Sequence, residues 1–195
     1  MNRLVVLVGL PGSGKSAFQR RHPEWAVVSK DAIRREIFHC NFAPEHEPVI
    51  DRVFAATLVE VVDSSAEVVC VDDLNLRRDT RRELIELAQL AGREPVAYVM
   101  ADHPIDVLYE RAVENAEGLS KSDPAFRVSD LSRARFAELA RSYESVDVRE
   151  GFARVERVHV ERVDVERNMP RRAPSRAQRR KSRIEKRQPL PLFVP

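Results

Sequence analysis

The sequence is poor in the residues that staple small domains together. Its 195 residues include two cysteines, Cys40 and Cys70. They form no pairing framework and no Cys/His ligand spacing, which argues against a zinc site and for a reducing, cytoplasmic setting. His22, His39, His46, His103 and His159 show no i, i+4 pairing and read as surface or capping residues. No apolar run approaches the roughly 18 residues that a membrane span requires, so no membrane partner is expected. The Leu4–Leu10 stretch runs straight into a Gly-containing turn and reads as a buried strand, not a signal peptide. Glycine is scarce as well: there are six, and three of them fall in that one turn.

Hydrophobic residues make up 43% of the chain and charged residues 33%, enough for one domain with a sizeable core. The net charge of +2 conceals a split. Arg167–Pro195 holds ten Lys/Arg and one acid, Glu185, whereas residues 1–166 hold 23 basic and 30 acidic residues. The tail also carries five of the twelve prolines and few large apolar side chains before Leu190. It cannot bury enough surface to offset its ordering entropy, so a body at 1–166 and a disordered basic tail at 167–195 are expected.

The body alternates apolar runs with amphipathic stretches. Leu4–Val8, Ala26–Ser29, Val68–Val71 and Pro95–Met100 read as strands, and Val155–Val160 as a weaker edge strand. Helices are expected around Val49–Val62, from a capping box at Thr80–Glu83 up to Gly92, from Pro104 to about Gly118, and over Asp130–Ser142. Cys40 and Cys70 are expected to be buried, and Trp25 and Phe38 to pack in the core. This alternation implies a parallel α/β sandwich.

Gly9-Leu10-Pro11-Gly12-Ser13-Gly14-Lys15-Ser16 matches GxxxxGK[ST] at every fixed position, between an apolar strand and a helix. Glycines let backbone N–H groups turn inward on phosphate oxygens. Lys15 supplies charge to the β- and γ-phosphates of ATP, and Ser16 a hydroxyl to Mg²⁺. Three acids follow strands: Asp31 after the second, Asp72 and Asp73 after the third. Ligands of open α/β sheets bind outside the carboxyl ends of the strands, so all three should face the phosphate loop. Transfer to an alcohol needs a base and a group holding Mg²⁺ or its waters; Asp31 suits the first role, Asp72 or Asp73 the second. Asp31 could instead cap the helix that follows it. Arg34, one turn further on, suits a planar fork on a substrate phosphate.

Gly9–Ser16, Ser29-Lys30-Asp31-Ala32-Ile33-Arg34 and Asp72-Asp73-Leu74-Asn75-Leu76 together resemble the kinase domain of phage-type 5′-hydroxyl polynucleotide kinases, over roughly residues 3–145. The resemblance implies a P-loop NTPase fold with about five parallel strands flanked by helices, and a helical lid over the ATP phosphates. It implies ATP-dependent phosphorylation of a DNA or RNA 5′-hydroxyl. Asp31 would be the general base, Arg34 the contact to the phosphate beside the acceptor, and Asp73 a support for the acceptor site. Arg111 matches the first lid-associated Arg of that family, but Asn115 stands near where the second belongs. Lys121, Arg127 or Arg133 could replace it, with Gly118–Val128 as the lid and Arg127 assigned to the nucleotide. The tail's Arg171-Arg172 and Arg176–Lys181 suit nucleic-acid phosphates. Two other readings remain: a kinase of a small metabolite, nucleoside or antibiotic, and an ATP-dependent nucleic-acid-binding module without transfer.

Overall fold

A computed structural model of the chain describes residues 2–123, 125–128 and 132–159. The expected basic tail, 167–195, lies outside the described residues. Five strands form one sheet: β1 (Arg3–Val8), β2 (Ala26–Ser29), β3 (Val68–Asp72), β4 (Glu94–Met100) and β5 (Arg154–Val158). The order across the sheet is β2-β3-β1-β4-β5, and every pairing is parallel. The P-loop NTPase architecture expected from the motif is therefore the one observed.

Parallel strands are covered on both faces, which is why β1 reads as an unbroken apolar run. Leu4, Val6 and Val8 face a core shared with α3 (Glu47–Val62) and α4 (Arg78–Leu90). Val5 and Leu7 face the opposite layer, with Phe18 of α1 (Lys15–Gln19) and Trp25. Helices α5 (Ile105–Ser122) and α6 (Arg133–Arg141) pack together through Leu108, Ala112 and Phe136, and Leu10 of the phosphate loop joins that cluster. Cys40 and Cys70 are buried free thiols, as expected.

Several boundaries differ from the sequence reading, each for a tertiary reason. Thr80–Glu83 does not open α4. The helix begins at Arg78, whose N–H donates to a Glu144 carboxylate far along the chain, so a distant cap replaces the local box. Gly118 does not end α5, which continues to Ser122. The first residues of the expected lid are thus helix. Helix α6 starts at Arg133 under Ser132, whose hydroxyl accepts from the Arg135 N–H; Asp130 lies outside the described residues. Phe38 does not join the core: it is half-buried and stacks on His46 with centroids 4.0 Å apart.

Two buried arginines fasten the frame. Arg81 is fully buried and uses all five donors. Its Nε and one Nη2 proton go to both Glu150 oxygens at 2.7 and 2.8 Å, and the others to the carbonyls of Asn75, Leu76 and Ser145. Arg93 ties the end of α3 by donating to the carbonyls of Val62, Ser64 and Ala66.

Candidate active site

The loop after β1 is built around its glycines. Gly12 has φ +77° and lies against α5: a Cβ there would fall 2.2 Å from the Leu108 carbonyl oxygen. Only glycine fits that approach. Gly14, with φ +97°, precedes α1. The loop is also held from β3. The Gly9 N–H donates to Leu74 O at 3.1 Å, and Asn75 Nδ2, from a left-handed residue at φ 49°, donates to Leu7 O at 2.8 Å. Arg81 clamps the carbonyls of Asn75 and Leu76 in turn, so a buried ion pair indirectly braces the phosphate loop.

Lys15 is buried, and its ammonium donates to Gly9 O at 2.7 Å and Leu10 O at 2.9 Å. Burial lowers its pKa, and the charges of Asp72, Asp31 and Asp73 partly offset that. The hydroxyl of Ser13 is buried without a partner among the described residues. A polar atom and a cation held inside a glycine turn are what a triphosphate would engage.

Strand register brings the acids together. Ser29 of β2 pairs with Asp72 of β3, so Asp31 and Asp72 leave neighbouring strand ends beside the loop that follows β1. Asp31 does not cap its own helix. That task falls to Ser29, whose hydroxyl accepts from the Ala32 N–H at 3.3 Å in front of α2 (Lys30–Ile33). The Asp31 side chain is 80% exposed, and its Oδ1 accepts from Arg34 Nη1 at 2.6 Å. After α2 the backbone widens into a π-helical turn, Arg34–Phe38, which ends at His39 with φ 51°. Such bulges inside helices are frequent at functional sites.

Arg34 is only 8% exposed, and Glu47 at the start of α3 grips it from two sides. Arg34 Nε reaches Oε1 at 2.9 Å and Nη2 reaches Oε2 at 2.6 Å. Asp72 is half-buried, and desolvation of its carboxyl is the main cause of a pKa pushed up to about 6; Lys15 and a hydrogen bond with Ser29 pull it down, while Asp31 and Asp73 push it further up. Asp73 is more committed. Its Oδ1 accepts from the Leu74 N–H at 2.8 Å, and Oδ2 pairs with Lys30 at 3.3 Å, a lysine that also reaches Asp51 at 2.9 Å. Asp72 lies beside Lys15 and hydrogen-bonds Ser29, and Ser16 of the loop is exposed. Among the described residues no group of three or more His, Cys, Asp or Glu could hold a metal alone. Mg²⁺ keeps several waters and takes one or two protein oxygens plus substrate phosphates; Ser16 and Asp72 could hold it.

Each expected lid cation has a local contact of its own. Lys121 is 80% exposed and lies beside Glu117. Arg133 pairs with Asp106 and lies over Tyr109. The exposed Arg127 is tied by its backbone to the other wall: its N–H donates to His39 O at 2.7 Å, and it forms a parallel bridge with Cys40. Arg111, half-buried, adjoins Ala112, whose backbone nitrogen would lie 3.1 Å from a Cβ at Gly12. Sequence reasoning missed Glu47, Lys30–Asp51 and Arg81–Glu150, because each is a long-range pairing with no local spacing signal.

Fold and loop together define a P-loop nucleotide-binding domain of the kinase-like kind. A family model described as an AAA domain matches residues 4–144, and the chain belongs to that family. Solved structures share the fold at low identity. A chain of the Pnkp1/Rnl/Hen1 RNA repair complex matches at 20% identity over 72% of this chain and 43% of its own, with a TM-score of 0.57. The present chain thus spans less than half the length of that relative. A protein from Chloroflexus aurantiacus described as a candidate kinase matches at 17% over 81% of this chain and 88% of its own, TM-score 0.58. Kti12 of Chaetomium thermophilum, solved with ADP-AlF3, matches at 18% over 93% and 97%, TM-score 0.53. Among the described residues no helix is long and apolar enough to cross a membrane.

Proposed function

We propose that the chain is an ATP-dependent phosphotransferase that moves the γ-phosphoryl group to the 5′-hydroxyl of DNA or RNA in the cytoplasm. The observation that carries this reading is an exposed Asp31, released from helix capping by Ser29 and paired with a buried, doubly gripped Arg34, beside Lys15 and Asp72. Resemblance to the RNA-repair relative agrees with a polynucleotide acceptor. The basic segment 167–195 is proposed as a separate arm for nucleic-acid phosphates.

In this mechanism Asp31 accepts the proton of the attacking hydroxyl as its oxygen bonds to the γ-phosphorus, and the bond to the β-phosphate oxygen breaks to release ADP. Lys15 turns from the Gly9 and Leu10 carbonyls to the β- and γ-phosphates. Arg34 holds the phosphate next to the acceptor, and Asp73 keeps Lys30 and the Leu74 turn in place behind it. Ser16 and Asp72 would hold Mg²⁺, which would supply charge neutralisation on the phosphates. Positioning and electrostatics supply most of the rate. Arg127 is the lid cation proposed for the nucleotide.

Transfer of labelled γ-phosphate to 5′-hydroxyl oligonucleotides, screened beside nucleosides, sugars and other small alcohols, tests the assignment. Label on oligonucleotides supports it. Label on a small alcohol alone moves the acceptor to a metabolite, and ATP-dependent strand binding without product makes the domain a binding module.

A further inference from the structure

Beyond Arg34, a second guanidinium meets the same aromatic ring. Phe42 lies in the loop between the π-helical turn and α3, half-buried. Arg34 approaches this ring with its guanidinium carbon 5.9 Å from the centroid, and Arg135 of α6 lies over it at 3.6 Å. The two guanidinium carbons are therefore no further apart than the sum of those distances, a span that neighbouring phosphates of one strand can bridge. Arg135 makes no ion pair or side-chain hydrogen bond among the described residues, although its ring contact holds the guanidinium in place. A guanidinium stacked on a ring keeps its N–H donors at the edge, free for an anion.

Asp31 meets Arg34, and Arg34 and Arg135 meet at the Phe42 ring. The loop bearing Phe42 is joined to the segment after α5 by the Arg127–His39 bond and by His39 facing Asp123 at 3.6 Å. We propose that Arg135 binds the second phosphate of the acceptor strand, one nucleotide beyond the phosphate held by Arg34. This rests on the polynucleotide reading above and deepens it: the site would recognise a strand of at least two phosphates over a mononucleotide.

The test compares a nucleoside 3′-monophosphate with 5′-hydroxyl DNA and RNA trinucleotides in the full-length chain and in Arg135→Ala and Arg135→Lys. In the unmodified chain the trinucleotide should have the lower KM. In Arg135→Ala the ratio of the two KM values should shrink about tenfold, the size expected for a charge-assisted hydrogen bond. The slope of log KM against log salt for the trinucleotide should flatten by about 0.7. Arg135→Lys, keeping the charge, should retain much of that slope. An unchanged ratio in Arg135→Ala, or an equal rise in KM for both acceptors, would mean that Arg135 only packs α6 on Phe42, and would overturn the inference while leaving the polynucleotide reading intact. Failure of the unmodified chain to phosphorylate either nucleotide acceptor would remove that reading and the inference with it.

Discussion

Glu47 holds Arg34 by both carboxylate oxygens, at 2.9 and 2.6 Å, and so aims the third edge of the guanidinium at Asp31. The pair is largely buried, so the fork is held against competition from water. Glu47→Gln should keep the side-chain volume but lose the charge and one acceptor. Transfer should fall by about tenfold, chiefly through acceptor KM. Arg34→Lys should not rescue Arg34→Ala, because an ammonium cannot serve Glu47 and Asp31 in one plane. Initial-rate kinetics with varied acceptor check both.

Asp31→Asn should reduce kcat by about 10²–10⁴-fold, the usual scale for a lost general base. Nucleotide affinity should hardly change, since Ser29 and not Asp31 caps the helix. Calorimetric titration with ADP and Mg²⁺ beside single-turnover transfer separates the two effects.

Asp72 links the site to pH. Its folded pKa of about 6 lies above the ordinary 3.8 because burial disfavours the carboxylate. The fold therefore prefers the protonated acid; the resulting stability is full below pH 3.8 and lost as pH rises through 6. Asp72→Asn should be more stable than the unmodified chain at pH 8, by up to about 3 kcal/mol, and the difference should vanish near pH 3. Denaturant melts at the two pH values measure this. The same variant should need more Mg²⁺ for transfer.

Arg81→Met should destabilise the chain by about 3 kcal/mol, since it removes both guanidinium bonds to the Glu150 carboxylate, which keeps only the Asp147 N–H and the more distant Arg78, and leaves three carbonyls without their donor. Urea unfolding gives the value. Loss of the Asn75–Leu76 clamp should also weaken ADP binding, although Arg81 is remote from the phosphates.

Legibility followed the range of each interaction. The phosphate loop, the five strands and the acids at their ends are local patterns, because strand periodicity and glycine turns are written in consecutive residues. Gly92 adopts φ +66° where the sequence places a helix end. The start of α4 was not legible, because Glu144, 66 residues away, supplies the cap. Nor was the partner of Arg34, which lies 13 residues on, across an irregular turn. A capping role for Asp31 was open in the sequence, and only the Ser29–Ala32 bond decides it. Arg127, assigned to the nucleotide from sequence, has its backbone fastened at His39 and Cys40, a pairing that no spacing rule reveals.

The contact between Gly12 and the Leu108 carbonyl leaves no slack between the phosphate loop and α5. A methyl group at position 12 would act as a wedge, prising the helical hairpin off the loop before any nucleotide arrived. Access to the cleft is thus governed from beneath, by a peptide bond resting on a bare α-carbon, as much as by whatever swings above it.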